Sequence, residues 1–135
     1  MNRAIPIAFL AIALSACSPS TQNAESFDRR ARCDELVRSK FSEMEHRFSY
    51  KAVTRIVTSN YSAQGECYGL LERNGSEGSN EILIEGTSGK ELANIARAGD
   101  FLITGLRDGD GTWIDKGPSG RKEVEEFITR KMNER

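Results

Sequence analysis

Apolar and polar residues change their rhythm several times along this chain, and each change marks an element. An unbroken apolar stretch, interrupted only by Pro6, runs from Ala4 to Leu14. A polar stretch, Ser18 to Glu25, has no apolar period. Phe27, Ala31, Val37, Phe41 and Met44 then recur at helical spacing, and Cys33 and Leu36 widen the same stripe. With Ser26 as N-cap, this predicts an amphipathic helix over 26–46. After Phe48 β-branched residues take over, and strands are expected at 52–58, 66–72 and 81–85. Residues 74–80 read as a hairpin loop. Ser88-Gly89-Lys90-Glu91 fits a capping box, and Leu92, Ile95 and Ala96 share a helical face, so a short helix is expected at 89–98 with Gly99 as its C-cap. Strands follow at 101–106 and 112–114, with a turn at 107–111 between them. A last helix follows Pro118-Ser119-Gly120, with Val124, Phe127, Ile128 and Met132 inward.

Short connections between successive strands favour antiparallel pairing. The expected class is α+β: a sheet of about five antiparallel strands, with the N-terminal and C-terminal helices on one of its faces.

The first 17 residues carry an address. Arg3 is the only charge before residue 25, and an apolar run and small residues follow it. This is the order of a signal peptide. Eleven residues are too few to span a bilayer, which takes about 20. The exit Leu14-Ser15-Ala16-Cys17 resembles the lipobox of bacterial lipoproteins. The resemblance covers residues 1–17 alone. It implies diacylglycerol on the Cys17 sulfur, cleavage after Ala16, and acylation of the new amine. Ser18, where many inner-membrane lipoproteins carry aspartate, favours the outer membrane, facing the periplasm. The expected organisation is a cleaved signal peptide at 1–16, a lipidated cysteine and tether at 17–25, and one domain at 26–135.

Composition narrows the function classes. Removing residues 1–16 from the 135 leaves 119, enough for one domain with one core. The chain has 19 basic and 20 acidic residues, and loss of Arg3 moves the net charge from −1 to −2. Such a balance lacks the basic excess of a nucleic-acid binder. It also gives no electrostatic pull toward anionic lipid, so the acyl chains must hold the membrane. With Cys17 assigned to lipid, Cys33 and Cys67 remain, and an exported domain with two cysteines reads as one disulfide.

Motifs that could carry chemistry each fall short. His46 is the only histidine; Glu43 precedes it at helical spacing, but no second such set exists to complete a metal site. Asp108-Gly109-Asp110-Gly111-Thr112 resembles the middle of a calcium loop, yet the first and last ligand positions would fall on Leu106 and Gly117. A hairpin turn is the plainer reading, with Asp115 near enough for weak calcium binding. Gly86-Thr87-Ser88-Gly89-Lys90-Glu91 has the context of a phosphate loop but misplaced glycines. No cofactor or metal is expected. Trp113, Asp108 and Asp110 are the residues offered to a partner.

Three functional classes follow. The leading one is a non-enzymatic, lipid-anchored envelope module that binds another envelope component through a sheet edge or the segments 74–80 and 107–113. The second is a small-ligand carrier with a pocket between helices and sheet. The third is a hydrolase of envelope polymers working through a carboxylate pair.

Overall fold

A computed structural model describes residues 21–47 and 53–134. The signal segment 1–16 and Cys17 lie outside the described residues. Helix α1 spans Thr21–Arg47 and is followed by six strands: β1 Val53–Tyr61, β2 Cys67–Gly75, β3 Gly78–Glu85, β4 Glu91–Ala98, β5 Phe101–Arg107 and β6 Trp113–Asp115. A 3₁₀ turn at Pro118–Gly120 leads into helix α2, Arg121–Asn133. The strands form one antiparallel sheet in chain order, so every strand pairs with its sequence neighbours. The class is the α+β expected, with six strands rather than five.

The extra strand replaces the helix expected at 89–98. The segment Glu91–Ala98 is rich in helix formers, but β3 and β5 lie on either side of it and take up its backbone groups. Ala93 and Ile95 then face one side of the sheet, where both join the core around α2. The residues of the expected capping box do other work. Ser88 donates its hydroxyl proton to the Glu85 carboxylate and accepts the Lys90 amide at 3.1 Å, which shapes the loop between β3 and β4. Gly99, at φ 57, sits in the two-residue turn from Ala98 to Phe101 instead of ending a helix. The expected 74–80 loop is likewise a tight hairpin, in which only Ser76 and Glu77 lie between the paired Gly75 and Gly78.

The two helices lie on opposite faces of the sheet, not on one face as expected. Alternation along β2 shows it. Cys67 and Leu71 join Cys33 and Val37 of α1 in one buried cluster with Ile82 and Ile84. Tyr68, between them in sequence, joins Val124 and Ile128 of α2 in a second cluster with Leu83, Ala93 and Leu106. β2 and β3 therefore carry apolar residues on both faces, which explains the unbroken Ile82-Leu83-Ile84 run. Phe27 is 72% exposed and Ala31 is exposed; the buried stripe of α1 begins at Cys33. Helix α1 also starts five residues earlier than the sequence pattern suggests.

The expected disulfide is present. Cys33 and Cys67 are joined at an S–S distance of 2.09 Å with their Cα atoms 5.4 Å apart, and the bridge ties α1 to β2. At Gly86 a side chain would collide with the Cys67 sulfur, so the loop after β3 closes tightly over the bridge.

Candidate binding surfaces

Helix α1 covers β1 and β2 and stops short of β4–β6. On that side of the sheet, among the described residues, the outer strands carry no helix. The residues facing outward there follow from register: Ala96 and Ala98 on β4, Phe101, Ile103, Gly105 and Arg107 on β5, and Trp113 on β6. Phe101 is 76% exposed, Ile103 60% and Trp113 39%. They form one row, because the Trp113 indole lies over Gly105, where a side chain would strike the ring.

Trp113 is held in place by its hairpin. The Arg107 guanidinium stands 5.6 Å from the indole centroid. Arg107 is itself fixed, donating from Nε to the Glu91 carbonyl at 2.7 Å and from Nη1 to the Gly111 carbonyl at 3.0 Å. Asp108 closes the turn: its Oδ1 accepts the Asp110 amide at 3.1 Å and the Thr112 amide at 2.8 Å. The three residues offered to a partner thus share one hairpin, but only Trp113 presents a large apolar surface. Asp108 is bound into the turn as an Asx motif, which is the physical reason for the calcium-like spelling. Among the described residues no group of three carboxylates, histidines or cysteines is placed to hold a metal. Glu43 pairs with Lys40 at 3.0 Å, and the His46 side chain lies outside the described residues.

The opposite face holds a cleft of about 650 Å³ between α2 and the sheet end that carries the 86–90 and 107–112 turns. Tyr68, Leu106 and Phe127 supply its apolar lining; Glu66, Arg130 and Lys131 are among its charges. The Tyr68 hydroxyl is hydrogen-bonded to the Glu66 carboxylate, and Lys131 Nζ donates to the same hydroxyl at 3.0 Å. Burial, then the Glu66 bond, raise the Tyr68 pKa. The Tyr68 bond raises that of Lys131. At neutral pH the pair is a phenol and an ammonium, which suits binding rather than proton abstraction.

One carboxylate pair also stands on the α2 face. Glu72 and Glu81 are opposite each other on β2 and β3. Burial first, then repulsion from Glu125 and Glu72, raise the Glu81 pKa against the pull of Arg121. Glu72 is lowered by bonds from Asn74 and Arg55. Arg55 donates to Glu72 Oε2 at 2.9 Å from Nε, so this carboxylate is committed within the sheet. The sequence reading missed this pair and the Tyr68–Lys131 contact; both require the register that only the fold supplies.

No known family model, curated protein or solved structure matches the chain. Among the described residues no helix is long and apolar enough to cross a membrane.

Proposed function

We propose that the protein is a non-enzymatic interaction module, tied by lipid on Cys17 to the periplasmic side of the outer membrane, which engages another envelope component. One observation carries the reading: the Cys33–Cys67 bridge consumes two of the three cysteines and leaves Cys17, at the end of the apolar run, as the one remaining cysteine. A structural disulfide suits an oxidising compartment. The exposed row Phe101, Ile103 and Trp113 supports a binding role, since an apolar row on an open sheet face marks a contact surface. Metabolic labelling with a fatty-acid analogue tests the anchor. Label that appears on the native chain and disappears in Cys17→Ala supports it; an unlabelled chain with a free Cys17 thiol rejects it.

The cleft between α2 and the sheet end favours a second reading, a small-ligand carrier. Its volume of about 650 Å³ is within the range of ligand pockets. Native mass spectrometry of protein purified from its own envelope distinguishes the two, because a carrier retains a non-covalent small molecule and a contact module does not.

A further inference from the structure

The cleft between α2 and the sheet end holds an uneven balance of charge. Each carboxylate that lines it is already engaged. Glu66 accepts from the Tyr68 hydroxyl and Glu85 from the Ser88 hydroxyl. Asp108 accepts the Asp110 and Thr112 amides. Glu123 pairs with Lys116 at 2.8 Å and Glu126 with Lys122 at 3.8 Å.

Two of the cations are not matched in this way. Lys90 Nζ lies beside Gly111, where a Cβ would stand 2.8 Å from it. The Arg130 guanidinium lies over the Phe127 ring, 5.5 Å from the centroid. Among the described residues neither has a carboxylate within ion-pair distance. Lys90 comes from the turn between β3 and β4 and Arg130 from α2, so the two stand on opposite walls. Between them Leu92, Leu106 and Phe127 form an apolar floor that belongs to the α2 core. An unpaired cation on an open surface is simply hydrated. Here two of them flank one concave apolar site, where a single ligand can meet both.

We infer that the cleft takes a small amphipathic acid, with its anionic head between Lys90 and Arg130 and its apolar body on Leu92, Leu106 and Phe127. The inference rests on the carrier reading of this cleft and names the ligand class. An anion supplies the charge that the engaged carboxylates do not, and bonds between ionised partners are the strong ones. The planar fork of Arg130 suits a carboxylate or phosphate. A cationic ligand fits less well, since a carboxylate would have to leave its present partner to meet it.

Three probes that share one chain and differ only in the head test this: decanoate, decanol and decylammonium, each below its micelle concentration. Amide shifts of the isotope-labelled protein report both affinity and place. Decanoate is expected to bind about tenfold more tightly than decanol, with shifts at Leu92, Leu106 and Phe127. Lys90→Gln/Arg130→Gln, altered at two exposed positions, is expected to lose that preference and to keep its affinity for decanol. The spectrum of the variant checks that the fold is kept. Vesicles of phosphatidylglycerol distinguish the source of the head: lipid drawn into the protein fraction assigns an anionic lipid, and none drawn assigns a soluble acid. Equal affinity for decanoate and decanol, or tighter binding of decylammonium, overturns the inference and leaves the carrier reading standing. Shifts confined to Phe101, Ile103 and Trp113, or no binding of any probe, overturn both.

Discussion

Val37 occupies the space that a side chain at residue 69 would need. A Cβ built on Gly69 falls 2.5 Å from Val37 Cγ1 and 2.9 Å from Cγ2. Helix α1 approaches β2 this closely only because the strand lacks a side chain there. Gly69→Ala should lower stability by about 1–3 kcal/mol through overpacking. Val37→Ala should partly relieve it, so the double variant should lose less than the two singles added together. Urea midpoints at constant slope measure both; strict additivity would show that the two sites do not touch.

The bridge gives a second prediction. It closes a loop of 34 residues, for which chain entropy alone gives about 3.8 kcal/mol. Replacing Cys33 and Cys67 together by serine should lower unfolding stability by that order. Both sulfurs are buried, Cys33 at 1% and Cys67 at 4% exposure. Reduction of the native protein should therefore be slow, and should accelerate when urea opens α1, as followed by thiol titration.

Glu81 makes stability depend on pH. Its raised pKa means that the folded chain holds this proton more tightly than the unfolded chain does. Stability from this group is thus greatest below the ordinary glutamate value and falls as pH rises through the raised folded value. Glu81→Gln should be more stable than the native chain at pH 7 and equal to it near pH 3, well below the usual glutamate range. Glu72, with its lowered pKa, acts in the opposite sense: its contribution is present above the ordinary value and lost as pH falls through the folded one. Denaturation of both glutamine variants across pH separates the two slopes.

Two amide oxygens point to a stabilising change. Asn80 Oδ1 and Asn94 Oδ1 are buried without a hydrogen-bond partner, on the sheet face that α1 shares. An orphaned polar atom costs its hydration, whereas an apolar residue of like size does not. Asn94→Leu should raise stability by about 1 kcal/mol, readable as a higher urea midpoint. A loss would indicate that Asn94 makes a bond in solution.

Local patterns made most of the elements legible. The buried stripe of α1, the β-branched strands, the hairpin at 107–111 and the Val124, Phe127, Ile128, Met132 face of α2 could all be read from spacing. Segment 91–98 could not, because its alanines and leucine suit a helix and only its two neighbouring strands make it extend. The side on which each helix packs was hidden for a related reason. Ile82-Leu83-Ile84 shows no alternation, which is itself the mark of a strand covered on both faces. The exposed row is invisible in sequence: Phe101 and Ile103 look like core residues until the sheet shows that nothing described lies above them. Asp108 and Asp110 were legible as a turn, and Trp113 as a surface candidate only by residue type.

The strict chain order of the sheet has a consequence for a polypeptide that emerges from the ribosome N-terminus first. Helix α1, β1 and β2, with the cysteine pair that joins them, are complete once residue 75 has emerged. Each later strand finds its neighbour already waiting. Only α2 must reach back, across β4 and β5, until Asn60 of β1 donates to the carbonyls of Lys131 and Glu134. That latch can close only after the last turn of α2 has cleared the exit, so the domain assembles as a zipper whose clasp comes last.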